Sequence, residues 1–228
     1  MKISYDFHIH SALSPCSDDT MTPCNIAAAA SLNGLNAIAV TDHNAIANCK
    51  AAAEVCEALG IAFLYGIEVQ TSEDIHVVAL FDSYQSLEAF FNTLTFPPLK
   101  NRAEIFGRQL IYDSDDRIVG EEERMLLASC DEGIYDICAR IIDMGGKAIP
   151  AHIDREANGI LAILGEIPPD LPFSALEFSP YAPKELLDRY SGFKRLINSD
   201  AHRPQDLMTG ENTIEALSAE ARDIWLSI

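Results

Sequence analysis

The segment from Ile3 to His10 alternates between apolar and polar side chains along its whole length. A period of two is typical of a strand, whose successive side chains point to opposite faces. One face can pack into a core, while the other presents Asp6, His8 and His10. Two imidazoles spaced two residues apart leave a strand on the same side and can bind one metal ion. Asp6 lies on the same face and can orient one of these ligands by a hydrogen bond.

Strand and helix patterns continue to alternate after this segment. Thr22 can cap, and Pro23 can begin, an Ala-rich helix that ends at Gly34. The apolar run from Ala37 to Val40 predicts a strand buried on both faces, followed by a helix over about 45–59. Further strands are predicted over 61–65, 75–81, 147–150, 175–178 and 193–197, and helices over 134–144 and 215–226. This alternation predicts an α/β fold.

Between residues 82 and 143 the alternation is weaker. A helix is predicted over 86–94, and a small hairpin is predicted from strands at 109–112 and 117–119. We interpret this segment as an insertion between the fourth and fifth strands. It is either a surface excursion or a lid over a site at the mouth of a barrel.

Composition limits the number of domains and the kind of partner. The 228 residues, 48% of them apolar, are enough for one large domain spanning 1–228. The net charge of −19 argues against a protein that binds the backbone of long nucleic acids, which needs a basic surface. Small anionic substrates remain compatible with this charge if metal ions supply positive charge locally. The oligomeric state is left open.

The cellular compartment is predicted from what the chain does not contain. The first residues are too short and mixed for a signal peptide, and no apolar run approaches the ~20 residues of a membrane span. We therefore expect a cytoplasmic protein without a membrane partner. The six cysteines contain no Cys-x-x-Cys pair and are expected to be reduced thiols, most of them buried. Cys16 differs because it follows the first motif in a loop.

All six histidines lie in or near predicted strands. His8 and His10 close the first strand, and Glu68 is placed just after the third. In a βα barrel the residues at the C-terminal ends of the strands converge on one mouth. A single polar site is therefore predicted there, with contributions from His8, His10, His43, Glu68, His76, His152, Asp200 and His202.

Five motifs together resemble the PHP (polymerase and histidinol phosphatase) family. They are Asp6-x-His8-x-His10, Thr41-Asp-His43, Gly66-Ile-Glu68-Val69, Pro150-Ala-His152-Ile-Asp-Arg155 and Asn198-Ser-Asp200-Ala-His202. The resemblance extends from Tyr5 to about His202 and is weakest between residues 82 and 143. It implies a distorted (β/α)7 barrel that holds up to three divalent metal ions.

The resemblance also implies which residues bind each metal ion. The first ion would be bound by His8, His10, Glu68 and Asp200. The second would be bound by Glu68 as a bridge, together with His76 and His152. The third would be bound by His43, His202 and an acid from the loop after the first strand. Asp18 and Asp19 are both available for that position, and Asp18 aligns better with the family's Ser-Asp-Gly-x-x-x-Pro run.

The chemistry expected of such a site is phosphate ester hydrolysis. Carboxylates mixed with imidazoles suit Mn, Zn or Fe. Two ions sharing Glu68 would hold a bridging hydroxide and offset charge on a phosphoryl group. Glu68, Asp200 and His202 are the expected catalytic residues. Arg155 and Arg203 could bind the phosphate, and Lys184 is a weaker candidate.

The expected substrate is a small phosphorylated molecule such as a nucleotide or a sugar phosphate, with the choice between monoester and diester left open. Three other functions are compatible with the motifs: a metal-dependent amide hydrolase, a TatD-type nuclease and a metal-binding module without catalysis. A TatD-type nuclease lacks the Thr-Asp-His and Asp-x-His elements, which would supply the third metal ion.

Overall fold

Strand β1 lies inside a curled sheet whose strands do not follow chain order. A computed structural model describes all residues 1–228. Its strands are β1 (Lys2–Ile9), β2 (Ala37–Val40), β3 (Ala62–Gln70), β4 (His76–Phe81), β5 (Leu110–Tyr112), β6 (Ile118–Glu121), β7 (Lys147–Pro150), β8 (Leu176–Phe178), β9 (Arg195–Ile197) and β10 (Thr213–Glu215). Its helices are α1 (Pro23–Leu32), α2 (Cys49–Ala58), α3 (Tyr84–Phe91), α4 (Ala103–Phe106), α5 (Ile134–Asp143), α6 (Ile160–Leu164), α7 (Lys184–Arg189) and α8 (Ala221–Leu226).

Six strands form the main sheet in the order β10-β1-β2-β3-β4-β7, and β8 pairs with β9. The β1-β2-β3 ladders are parallel, whereas β4 runs antiparallel to both β3 and β7. A hydrogen bond from Ser174 N to Ala148 O links the β8 side to β7, and a bridge between Ile9 and Ala201 links the residues after β9 to β1. The α/β prediction is confirmed as a curled half-barrel. The ladders do not close into a ring of seven strands, and the (β/α)7 count stays a prediction.

Several elements form where the local sequence signals place them. Thr22 caps α1, and its Oγ1 accepts a hydrogen bond from the N–H of Asn25. Gly34 follows this helix with a φ of +73°, a conformation that glycine adopts without a steric penalty. A short turn connects β3 directly to β4, which returns antiparallel beside β3.

Three parts of the strand and helix prediction are wrong. Glu68 lies inside β3, because this strand continues to Gln70 instead of ending near residue 65. Helix α2 begins at Cys49, because the chain first makes a turn at Asn44, whose φ is +48°. The helix predicted over 215–226 begins only at Ala221, and its predicted first residue, Glu215, belongs to strand β10, which pairs with the otherwise open edge of β1.

The segment between β4 and β7 contains α3, α4, the β5–β6 hairpin and α5. The predicted hairpin is confirmed by its antiparallel ladder. Leu110 and Tyr112 pack against Ala12, and the N–H of Leu110 donates to Ala12 O, so the hairpin lies against the loop after β1. Its action as a lid stays a prediction.

Both faces of β1 are buried. Its apolar side chains belong to the core, and its polar side chains face a buried site. Cys49, Cys56, Cys130 and Cys138 are free and buried, while Cys16 is exposed. None of the helices reaches the length and apolar character that a bilayer span requires.

Candidate metal centre

Glu68 lies at the centre of the predicted site. Five imidazoles have a ring nitrogen close to one of its carboxylate oxygens: His43 at 2.8 Å, His76 at 2.9 Å, His8 at 3.2 Å, and His10 and His152 at 3.3 Å. Asp200 Oδ1 lies 2.9 Å from His10 Nε2, and the His202 ring lies 4.4 Å from the His10 ring between centroids. The structure therefore brings all six histidines together with both acids.

The strand directions explain this convergence. Parallel strands β1 and β2, and the strands β7 and β9, each lead into the site at their C-terminal ends. His76 is the first residue of β4, and it reaches the same edge because β4 is antiparallel and pairs it with Gln70 at the end of β3. Two ligand positions have a left-handed backbone, His152 at φ +29° and Asp200 at φ +53°. Such strain in non-glycine residues is typical of functional sites.

Three groups of these side chains have ligand atoms within 4.8 Å of one another. His8, His10, Glu68 and Asp200 form the first, as predicted for the first ion. The second contains His43, Glu68 and His76, so His43 takes the place predicted for His152. The third contains His10, His43 and His202 without an acid from the loop.

The buried polar atoms of the cluster fit divalent cations. His43 Nδ1, His76 Nδ1, Glu68 Oε2 and Asp200 Oδ1 are buried without a hydrogen-bond partner. A buried polar atom without a partner destabilises the folded protein. A shared metal ion would give these imidazole nitrogens and carboxylate oxygens, which lie about 3 Å apart, a common partner. Imidazole nitrogens with carboxylate oxygens suit Mn, Zn or Fe.

A buried glutamate that sequence reasoning missed orients His8. Glu177 Oε1 lies 2.8 Å from His8 Nδ1 and accepts the backbone N–H of His152, and its Oε2 accepts from Asn198 Nδ2. With Nδ1 donating to Glu177, Nε2 of His8 keeps its lone pair for an ion. The sequence signal was a charged residue inside the apolar strand β8.

Ser14 and Asp42 orient His10 in the same way. Ser14 Oγ donates to Asp42 Oδ1 at 2.7 Å, so it can accept from His10 Nδ1 at 2.9 Å and from the N–H of His43 at 3.1 Å. The Nε2 atom of His10 is then free to face the cluster. On the far side, Asp6 accepts hydrogen bonds from the N–H and Oγ of Ser199 and fixes the loop that carries Asp200. The supporting role predicted for Asp6 thus acts through Ser199.

A model of the PHP domain matches residues 6–167, which is more than half of the chain. The chain belongs to the PHP family. A curated relative, the 5'-3' exoribonuclease of Haemophilus influenzae, is 32% identical over 83 residues, which cover 35% of this chain and 29% of that protein.

Solved structures share the fold of this PHP protein. The lesion-specific endonuclease Q of Pyrococcus furiosus superposes with a TM-score of 0.70 at 19% identity, covering 98% of this chain and 55% of that one. A protein of Bifidobacterium adolescentis described as a metal-dependent phosphoesterase gives 0.63 at 17% identity, covering 91% of each chain. The PHP chain thus spans about half of endonuclease Q and less than a third of the exoribonuclease.

The expectation of a small phosphorylated partner, with long nucleic acid excluded, is overturned by these comparisons. Endonuclease Q has also been solved with a 27-mer duplex carrying an abasic lesion at its active site, and that structure superposes with a TM-score of 0.69. The physical error lay in reading the net charge of −19 as a property of the site. Metal ions at a PHP centre are the largest local charges there, and they can hold a phosphate on an acidic protein.

The carboxylates of the PHP centre determine the proton affinity of its histidines. Burial alone would lower the pKa of His10, but Asp200 and Glu68 outweigh it and raise that pKa to about 9. The pKa of His8 is also raised, by Glu177, Glu68 and Asp200 against the effect of burial. Burial lowers the pKa of His43 and of His202 to about 4. In the absence of cations, protons on His8 and His10 therefore balance the buried negative charge.

Asp18 is not brought into the cluster. Its side chain is exposed, and Oδ1 accepts hydrogen bonds from the N–H and Oγ1 of Thr20, which close a local turn. Burial and Thr20 act in opposite directions on this carboxyl, and the bonds from Thr20 lower its pKa. Asp19 is exposed as well, while Cys16 of the same loop lines the cavity over the centre. The loop's longer sequence turns both acids toward solvent.

The cavity over the centre has a volume of about 430 Å³ and is lined by metal-centre histidines and by Cys16, Gln70, Leu127, Arg155, Ala157 and Asn158. Of the three predicted phosphate-binding cations, Arg155 lines this cavity and pairs with Asp200. Arg203 follows His202 on the exposed rim, and Lys184 is exposed at the start of α7, outside the cavity lining.

Proposed function

We propose that this PHP protein is a metal-dependent phosphodiesterase that hydrolyses nucleic acid strands. The observation that carries the proposal is the cluster of six histidines with Glu68 and Asp200, several of whose buried ligand atoms have no partner within the protein. Relatives named as an exoribonuclease and as an endonuclease support nucleic acid as the substrate class.

His8, His10, Glu68 and Asp200 would hold one ion, and Glu68 would share a second with His43 and His76. His10, His43 and His202 offer a third position. His152, predicted to bind the second ion with Glu68 and His76, has its Nε2 atom 3.3 Å from Glu68 Oε1. Such ions, when bound, lower the pKa of a water molecule and offset charge on the phosphate. Glu177 orients His8 and Ser14 orients His10, so that the Nε2 lone pair of each imidazole points toward the position of an ion.

Arg155 is the residue of this chain suited to bind the phosphate directly. Its guanidinium pairs with Asp200 while its side chain is 42% exposed, so it can turn toward a ligand in the cavity. A guanidinium can donate two parallel hydrogen bonds to phosphate oxygens. Arg203 on the rim would contact a neighbouring phosphate of the same strand.

The test uses the purified protein loaded with Mn²⁺ and labelled DNA and RNA, each as single strand and as duplex. We expect hydrolysis by the wild type and a loss of at least about 10²-fold in Glu68→Gln, which removes the shared charge at almost unchanged volume. Glu215→Gln, at an exposed position of β10, is the matched control and should keep full activity. Cleavage of N-acyl amides but no phosphodiester would favour an amide hydrolase. Metal binding without any hydrolysis would indicate a non-catalytic module.

A further inference from the structure

We propose that Tyr181 is a stacking platform for an unpaired nucleobase beside the scissile phosphate, which makes single-stranded nucleic acid the preferred substrate. This inference rests on the proposed function and deepens it. Tyr181 is the most exposed of the large apolar side chains, with 92% of its surface accessible. Nothing in the fold uses its ring.

The position of Tyr181 follows from the strand order around the metal centre. Strand β8 lies between β7 and β9, and each of these neighbours leads directly to a residue of the centre, His152 and Asp200. Glu177 in β8 itself contacts His8 and the backbone of His152. Tyr181 follows Glu177 by four residues, in the loop that leaves β8 at this same edge of the sheet.

The loop that carries Tyr181 is anchored to the residue beside Arg155. Asp154 accepts hydrogen bonds from the N–H of Ser179 at 2.8 Å and from its Oγ at 2.5 Å, and the N–H of Tyr181 donates to Ser179 Oγ at 3.2 Å. Pro180 and Pro183 flank the tyrosine and restrict the backbone. The backbone that carries the ring is therefore restrained close to Asp154, the neighbour of Arg155, so less backbone entropy is lost when a base stacks on the ring.

Base stacking contributes a larger share of the affinity for nucleic acid in an acidic protein than in a basic one. The net charge of −19 makes the protein as a whole repel the phosphates of a strand, and Arg155 is the one arginine or lysine that lines the cavity. Stacking of a base on an aromatic ring is independent of charge and tolerant of sequence, because every base has a π face. An exposed ring can stack only on a base that is free of its partner strand, which favours single strands.

The experiment compares two short single strands of equal length, one with bases throughout and one with abasic sugars at the positions flanking the cleavable phosphate. Both are tested with wild type, Tyr181→Ala, Tyr181→Phe and Tyr181→Trp in Mn²⁺. We expect Tyr181→Ala to raise KM for the base-bearing strand by about 5- to 100-fold without changing KM for the abasic strand. The Phe and Trp variants should retain wild-type KM because they keep the ring.

Tyr135→Ala is the matched control, since Tyr135 on α5 is half exposed and its hydroxyl donates to Asp170, away from the loop that is bonded to Asp154. It should leave both substrates unaffected. An equal effect of Tyr181→Ala on both strands, or no effect on either, would overturn the stacking role while leaving the nuclease intact. A wild-type protein that cleaves neither strand would overturn the proposed function and this inference together.

Discussion

The buried carboxylate of Glu177 orients a predicted metal ligand, His8, without being a predicted ligand itself. It contacts His8, the backbone of His152 and the side chain of Asn198, so it links three parts of the centre. The carboxylate fixes the tautomer of His8 and increases its basicity as a ligand. A residue outside the predicted ligand set is thereby part of the site.

Replacing Glu177 with Gln tests this link. The amide keeps the volume but loses the charge, and its NH₂ group must face either the Asn198 Nδ2 donor or the His8 Nδ1 donor. The hydrogen bond that orients His8 should therefore weaken. We expect the affinity for Mn²⁺ to fall by about 10- to 100-fold, measured by titration calorimetry. Glu185→Gln on the exposed face of α7 is the control. Equal affinities in both variants would remove Glu177 from the centre.

The protons on the cluster predict how metal binding depends on pH. The raised pKa of His10, about 9 against an ordinary 6.5, means that this imidazole is protonated at neutral pH in the metal-free protein. A metal ligand must be neutral, so an ion must displace the proton. The affinity for Mn²⁺ should therefore rise from pH 6.5 to about 9, by about tenfold per unit for each displaced proton, and the part of this rise that comes from His10 should end above pH 9. Titrations at pH 7 in buffers of different ionisation enthalpy should show the released proton. An affinity that is constant over this range would contradict the balance of charges described for the cluster.

Among the secondary-structure elements, the β5–β6 hairpin is tied to the ligand loops by one amide. Asn48 Nδ2 donates to Leu110 O at 3.0 Å and to Ser11 Oγ at 2.9 Å, while its Oδ1 accepts the N–H of Tyr112 at 2.9 Å. Ser11 in turn binds Asp42. The hairpin thus reaches the network that orients His10, and its attachment matters for any motion of the predicted lid.

Changing Asn48 to Ala would leave the buried N–H of Tyr112 and the carbonyl of Leu110 without partners. We expect the free energy of unfolding to drop by about 2 to 4 kcal/mol, measured by urea denaturation, with faster hydrogen exchange across 110–121. Asn92→Ala, at the exposed end of α3, should change stability by less than about 0.5 kcal/mol. If exchange in the hairpin were unchanged in Asn48→Ala, the hairpin would be held by its other contacts, among them the hydrogen bond from Leu110 N to Ala12 O.

At the scale of the whole molecule, the acidic net charge should limit how salt affects the proposed nuclease activity. Each phosphate that a single strand places on a cation contributes about −0.7 to the slope of log affinity against log salt. Arg155 and Arg203 supply few such contacts. We expect KM for a single strand to change by less than about tenfold between ~50 and ~200 mM salt, measured with Mn²⁺ held constant. A change of a hundredfold or more would point to a basic binding surface that the charge distribution does not provide.

Local sequence signals determined a large part of this protein. The period of two in β1 placed His8 and His10 on one side, and the cap at Thr22 placed the start of α1. The histidines near strand ends predicted one common site, and the motifs that contain them predicted the PHP family. These features depend on neighbouring residues, on strand geometry or on direct motif identity, so the sequence alone carries them.

Tertiary structure decided which of these residues meet. Thr20 turns Asp18 to solvent, and His10 occupies the third ligand group in its place. Glu177 reaches His8 only because β8 fills the space between β7 and β9. Strand β10 forms because β1 has an edge to cover, and Glu215, predicted to begin a helix, is part of that strand. Each of these outcomes depends on a partner far away in the chain, and a local pattern of apolar and polar residues contains no information about that partner's position.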